Sequence, residues 1–473
     1  MLSTYTTWIL PQQNGDFWCI DVIQNNAQRL KAYQLETTIT SYAYIVSHNA
    51  KELIKTYDLA HSNISFICLK IFKNLVKGYY ENSDVIIPEF NNQEEALVWV
   101  KSTLKHINSF IKKLNIDFLF RLECDLIKVI VKMENLGLPF NKQAWAEELQ
   151  LLNNKKDTLY KKLLKILNID IGFSLFNNKN INLNAIKNSS NNLELNNYRE
   201  INKLVSVYGD NFMQNIKNGR IRGTFNQLGC SSGRISCQQI NLQALPNNPK
   251  FQKCIQASVD TTILHFDYAG FELRILAALS QDEKMSEIFL NNKDIHAIVA
   301  KKLFNDETLR DKAKIINFGI VYGMGAKTLA SKLNTSAERA LELLTNYLDN
   351  FSGIKDYLLS LEIQAFKNNQ TKTALNRPLY FLEGPKKTLA RNLPIQGTGA
   401  DIIKLAMLKT DEYLVNNNCQ AYLINTIHDE LVIECQKTHI DLAKKLVIKA
   451  MKEAFRTVLK SPIFEAKITI NEH

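Results

Sequence analysis

The sequence predicts an α+β fold preceded by a smaller α/β region, and three observations carry that expectation. Hydrophobic residues make up 45% of the 473-residue chain, enough for packed cores, and the usual domain size divides that length into about three compact units. Within residues 1–115, short β-like runs (FWCIDVI, ISFICL) mix with helical stretches such as 93–113. Beyond residue 260, apolar strand-like runs (ILHF; AYLINTI and LVIEC) are separated by long segments of helical spacing, which is the pattern of a mixed architecture.

Taken in order, residues 120–138 (FRLECDLIKVIVKMENLGL) have helical apolar spacing that runs out at Gly137-Leu138-Pro139, a stop signal. From 143 to 168, Leu149, Leu151, Leu152, Leu159, Leu163, Leu164 and Leu167 predict an apolar helix face, with Lys155, Lys156, Lys161, Lys162 and Lys165 filling much of the remainder. Those lysines read either as a solvated face or as a surface that tracks phosphates. The Asn-rich stretch 177–197 predicts a loop or tip. ILHF (263–266) is a short strand running into Asp267, and FELRILAAL (271–279) resumes with helical spacing. Residues 307–333, 336–348 and 401–416 are predicted helices. AYLINTI and LVIEC are two strands with His428, Asp429 and Glu430 at the apex between them.

Composition narrows the partners. Lys and Arg number 58 against 47 Asp and Glu, a net charge of +11 and a pI near 9.0, which favours a polyanion. The eight cysteines include no CxxC pair, so neither a zinc ribbon nor a redox motif is encoded, and reduced thiols in a cytoplasmic, nucleoid-associated protein are expected. No apolar run approaches the ~18 residues of a membrane span, so no membrane partner is expected. The first basic residue is Arg29, which argues against a signal or transit peptide.

Chemistry is signalled at three places. In INTIHDELVIEC (424–435) two adjacent carboxylates stand in an otherwise apolar run, where one unpaired ionised carboxylate costs several kcal/mol. A hairpin turn would explain an Asp there; a metal would explain two converging acids. The second acidic position is Asp267, at the end of a buried strand, where an N-capping Asp is the plainer reading. If folding brings Asp267 and Asp429 to one sheet edge, the pair can hold two Mg2+ ions ~3.5–4 Å apart. The third is RDKAKIINFGIVYG (310–323), where Arg310, Lys314, Phe318 and Tyr322 recur every four residues. Such a row drifts only about 40° per step on a helix and keeps to one face. Two cations followed by two aromatics suit the phosphates and then the sugar and base of a nucleotide.

Together these stretches resemble family A (bacterial DNA polymerase I-like) DNA polymerases. HFDYAGFELRILAALSQDEKM, RDKAKIINFGIVYG and TIHDELVIE are similar to the family's three polymerase motifs, in its order. SSGRISCQQINLQALP (231–246) and RNLPIQGTGADIIK (391–404) resemble two further blocks, and the resemblance covers about 120–473. It implies a right-hand fold: thumb (116–225), palm with an antiparallel sheet (226–290 and 401–473) and helical fingers (291–400). It also implies a monomeric, template-directed polymerase that adds dNTPs to the 3′ end of a primer–template DNA with two Mg2+ ions. By this resemblance Asp267, Asp429 and the Tyr268 carbonyl are metal ligands, and Glu430 is an acid beside them. His428 lies near the primer end. Arg310 and Lys314 hold the incoming triphosphate, Phe318 meets its sugar and base, and Tyr322 stands near the template base.

Glu272 is the expected steric gate, a carboxylate under C2′ that leaves no room for a ribose hydroxyl. Arg234 is expected in the minor groove, where every Watson–Crick pair offers acceptors at similar places and pair shape can be tested without reading sequence. Asn392 and Gln396 are expected at other minor-groove or template contacts. Thr388 departs from the family, which usually has Arg there, and Lys387 or Arg391 is expected to substitute. A single-subunit RNA polymerase would not be expected to carry Glu272 and Phe318. A non-catalytic DNA-binding relative would be expected to lose Asp267, Asp429 or Lys314.

Residues 47–72 faintly resemble a proofreading exonuclease domain, with Glu52 near the first acid and Ile67 where a later Asp should be. WCIDVIQ supplies Asp21 but has Ile23 where the DxE pattern needs Glu. The expectation for 1–115 is a degenerate exonuclease-like domain, in a chain without proofreading or a 5′-nuclease domain.

Overall fold

The computed structural model describes residues 7–77, 87–166, 192–460 and 466–472. The predicted Asn-rich loop lies outside the described residues up to 191, and its last residues instead begin a helix, Asn192–Tyr208.

The first unit is built on a five-stranded sheet of β1 (Thr7–Pro11), β2 (Phe17–Asp21), β3 (Asn26–Leu30), β4 (Tyr44–Ser47) and β5 (Ser65–Cys68), in the order β3-β2-β1-β4-β5. The first three strands are antiparallel, and β4 and β5 run parallel to β1. Trp8, Ile9 and Leu10 are wholly buried, and Trp8 meets Trp99 of α1 (Gln93–Leu114) edge-on at 6.4 Å. This unit docks on α2 (Asp117–Leu136), which ends at Gly137 with φ of 73° as its stop signal requires. Lys51 Nζ donates to Glu134 Oε1 and to the Phe225 carbonyl, both at 2.6 Å.

The lysine-bearing helix is α3 (Lys142–Ile166). Leu149, Leu163 and Leu164 are buried as expected, but Leu151 is 57% exposed, because the helix buries a narrower stripe than its leucine spacing predicts.

The central sheet combines β6 (Thr261–Tyr268), β7 (Ala421–Ile427), β8 (Glu430–Gln436) and β9 (Ile468–Glu472) in the antiparallel order β7-β8-β6-β9. Leu264, Phe266 and Tyr268 face the core, while His265 and Asp267 alternate to the open face, the period of a half-buried strand. Tyr268 is anchored at both ends: its ring stacks on Phe271 at 4.6 Å, and its hydroxyl donates to the Met451 carbonyl at 2.7 Å. Behind the sheet lie two packed helices, one of them the thirty-residue Lys387–Asn416.

That helix begins well before the predicted 401–416. Pro394, Gly397 and Gly399, residue types that usually break a helix, are buried within this one. A side chain at Gly397 would stand 2.7 Å from Thr373 Cγ2, and one at Gly399 2.9 Å from Phe271 Cε1, so close packing demands these glycines. The expected 400/401 domain boundary therefore falls inside one continuous helix. Conversely, the predicted helix 307–333 breaks after Val321: Gly323 has φ of +63°, and a Cβ there would come 2.9 Å from Thr388 Cα. Among the described residues no helix is long and apolar enough to cross a membrane, and all eight cysteines are free thiols.

Candidate active site

The strands β7 and β8 are joined by His428 and Asp429 alone, with φ of +55° at His428, a conformation His tolerates better than most side chains. The turn is fastened to the neighbouring strand: Asp267 pairs in register with Glu430, and the Tyr268 N–H reaches the Asp429 carbonyl at 3.4 Å. Asp267 and Asp429, distant in sequence, thus stand together at the open end of β6. Burial pushes the Asp267 carboxyl up to about 7, with the charges of Asp429 and Glu430 adding to it. Burial likewise raises Asp429, against the opposing pull of its own backbone, His428 and Arg234.

Two half-buried acids that repel each other, neither in an ion pair among the described residues, suit a divalent cation. Their oxygens and the Tyr268 carbonyl are hard donors of the kind Mg2+ takes. No group of three or more His, Cys, Asp or Glu side chains forms a metal cage among the described residues, so a cation held by this pair would keep several waters in its shell, as Mg2+ commonly does. Glu430 does not join the pair directly: its carboxylate contacts His265 Nδ1 on β6.

The second part of the site is α4 (Arg310–Val321), with Tyr322 as its C-cap. Arg310 and Lys314 are exposed, and Phe318 and Tyr322 follow on the same row with rings 6.3 Å apart and 24° from parallel. Arg310 Nε is held by Asp294 Oδ2 at 2.7 Å. Asp294 also caps the helix Ile295–Phe304 through the N–H groups of His296 and Ala297. His296, which sequence reasoning missed, lies 6.1 Å from Phe318 and is bonded to the buried Asn317 at 3.0 Å. Burial lowers its pKa, against the opposing charge of Asp294, and the Arg310 and Lys314 charges push the same way as burial. The signal was present in DIHAIVA, where an N-cap Asp places the His in the first helical turn.

A third cluster joins these parts. Glu272, in the first turn of the helix Phe271–Ser280, is buried and accepts from Arg234 at 2.8 Å. Tyr322's phenol is pushed up to about 12, first by burial and then by the charge and hydrogen bond of Glu272, with Asp429 contributing. The carboxylate pair and the cation–aromatic row therefore share one site. Asn392 is buried and donates to the Val321 carbonyl at 3.3 Å, holding the end of α4, and Gln396 is half-buried one turn on. The two cations expected to stand in for an Arg at 388 are both turned to Glu362: Arg391 bonds it, and Lys387 lies 3.8 Å away.

Residues 150–471 match the model of DNA polymerase family A. DNA polymerase I of Caldicellulosiruptor bescii is 29% identical over 441 residues, covering 83% of this chain and 51% of that protein. The Borreliella burgdorferi DNA polymerase I is 29% identical over 486 residues, covering 92% and 52%. The chain spans about half the length of these relatives. The polymerase domain of Mycobacterium smegmatis Pol1, solved with DNA primer–template and dNTP, superposes with a TM-score of 0.81 at 20% identity, covering 100% of this chain and 96% of that one; at that identity the likeness speaks for the fold. With the family's model matched over most of its length, this chain belongs to the family A DNA polymerases.

Proposed function

We propose that the chain is a template-directed DNA polymerase that extends a primer 3′ end with dNTPs, acting as a single chain. The observation that carries this is the meeting of Asp267 and Asp429 at one sheet end, where Asp267 pairs with Glu430 and the Tyr268 N–H reaches the Asp429 carbonyl at 3.4 Å. Two Mg2+ ions, held there by Asp267, Asp429 and the Tyr268 carbonyl, would lower the pKa of the primer hydroxyl and neutralise charge on the transferred phosphoryl group. The chain's own residues do the rest. Arg310 and Lys314 bind the triphosphate and favour the charge of the departing pyrophosphate. Phe318 packs on the sugar and base, and Tyr322 lies towards the template base. Glu272, buried against Arg234 and Tyr322, is fixed as a wall under C2′, so a ribose hydroxyl would meet a carboxylate that cannot swing away.

Residues 1–115 act in this reading as a structural unit without proofreading. Support comes from the register. Asp21 pairs with Thr7, level with Ile45 near the start of β4, whereas Glu52 lies beyond the other end of β4, in the first turn of the helix Ala50–Thr56. Asp21 is instead spent on the Ile23 and Gln24 N–H groups, and Ile67 is buried in β5.

The test is a primer-extension gel with dNTPs and rNTPs supplied separately, plus an arm with a mismatched labelled primer and no nucleotide. Extension by dNTPs only, and an intact primer in the third arm, are expected. Extension by rNTPs at a comparable rate would return the site to an RNA polymerase, and progressive shortening would restore proofreading.

A further inference from the structure

Beneath the loop that carries Arg234 lies a fully buried network of two cations and two anions, to which none of the roles assigned above belongs. Glu123, Asp401 and Lys404 are completely buried, and Arg377 is 3% exposed. Arg377 Nε donates to Asp401 Oδ1 at 2.8 Å, and its other arm bonds Glu123. Lys404 Nζ donates to Glu123 at 2.5 Å and to the Gln227 carbonyl at 2.7 Å, and Thr373 Oγ1 donates to Asp401 at 2.6 Å. Balanced charge and several hydrogen bonds per group are what a buried cluster needs to persist, but replacing such clusters by apolar residues is often neutral or stabilising. Stability alone is therefore a poor reason for it.

Its position supplies a better one. Gly233 has φ of +83°, and a Cβ there would stand 2.7 Å from Arg377 Nε and 2.8 Å from its Cδ. On the other side, a Cβ on Gly397 would stand 2.9 Å from the Ser232 carbonyl oxygen. The backbone at 232–233 is thus clamped between the Arg377 side chain and the long helix, and the next residue is Arg234, whose guanidinium reaches Glu272.

We propose that Arg377 is a positioning residue for Arg234: clamped by Glu123 and Asp401, it fixes the height of the 232–233 backbone and thereby the Arg234–Glu272 pair that tests the primer terminus. This rests on the polymerase reading. Arg377 touches no reacting atom. Its planar fork satisfies both acids at once, which a Lys cannot do. Misplacement of a guiding group by about 1 Å can cost on the order of a hundredfold in rate.

The test compares wild type, Arg377→Lys, Gly233→Ala and Arg234→Ala. Each is measured for extension of matched and of mismatched primer termini, with a thermal melt alongside. Arg377→Lys keeps the buried cation, and Gly233→Ala leaves every buried charge in place while pushing the loop off Arg377. The expected result for both is a tenfold to hundredfold loss on the matched terminus, a smaller loss on the mismatched one, and hence a lower match-to-mismatch ratio. Adding either change to Arg234→Ala is expected to cost little more, because the residues act as one unit. Variants that remain folded yet keep the wild-type ratio would overturn the proposal, as would losses that multiply with that of Arg234→Ala. If Arg377→Lys does not fold, Gly233→Ala alone decides. A wild type that extends no primer would overturn the polymerase reading, and this inference with it; a wild type that extends, beside variants of unchanged ratio, overturns the inference only.

Discussion

Asp267 is held half-buried beside Asp429 and Glu430 with its carboxyl raised to about 7 from the ordinary 3.8. Between those values the folded state holds a proton that the unfolded chain has released, so this group's contribution to stability falls as pH rises through the window and is lost in full above about 7. Asp267→Asn removes that cost. The substitution is expected to raise the melting temperature of the metal-free protein at pH 8 by on the order of 1–2 °C, an effect tempered by solvent screening. The gain should shrink at pH 5, where the native carboxyl is already protonated. Added Mg2+ should stabilise the wild type at pH 8 and the variant much less, by differential scanning calorimetry; equal Mg2+ shifts in both would remove Asp267 from the metal set. Phe318 gives a second residue-scale prediction. A phenyl ring cannot replace the hydrogen bonding lost when a nucleotide lacks its 3′-hydroxyl, whereas a hydroxyl placed there recovers about 1.5–3 kcal/mol. Phe318→Tyr is expected to improve dideoxynucleotide use relative to dNTPs by at least roughly tenfold in a competition assay, and unchanged discrimination would mean that the ring does not face the sugar. Residues whose type is improbable for their setting, such as two acids in LVIEC-like surroundings or rings in register with cations, could be read from the sequence. Arg377 and Glu123 could not, because a single charge in a loop or on a helix looks ordinary until the fold shows what surrounds it.

At the scale of elements, the β7–β8 hairpin was readable because strand propensity on both flanks and a polar apex agree. The long helix was not, because Pro394 costs about 3 kcal/mol in an isolated helix interior and only tertiary packing at Gly397 and Gly399 explains its survival. The break at Gly323 was missed for the converse reason: helical spacing continues through it, and the close approach of Thr388 is a long-range fact. Helix α3 presents lysines to solvent. Lys162 is tied to Glu194 of the next helix, while Lys155, Lys161 and Lys165 are exposed. If this face tracks the duplex, replacing Lys155, Lys161 and Lys165 by Ala should reduce the log–log salt slope of primer–template binding by about 0.9 for each phosphate no longer neutralised. An unchanged slope in a fluorescence anisotropy titration would leave the helix as a solvated face.

For the molecule as a whole, the net charge of +11 fits a polyanionic partner without locating it. The proposed site lies where β6, the hairpin and α4 converge, and the buried Glu123–Arg377–Asp401–Lys404 cluster lies beneath the loop that carries Arg234. Burial lowers the pKa of Lys404 to about 8, and the neighbouring carboxylates are what keep a charge there at all. The first unit leans on the helix that carries Glu123 through the ion pair of Lys51 with Glu134. The central claim is that Asp267 and Asp429 form one metal-dependent reaction centre. Its most direct test is the single-turnover rate of primer extension by Asp429→Asn, measured beside its affinity for the same primer–template. Extension reduced by several orders of magnitude with duplex binding within about threefold of wild type is the expected result, since the change removes a metal ligand but no phosphate-contacting cation. Extension near the wild-type rate would contradict the account.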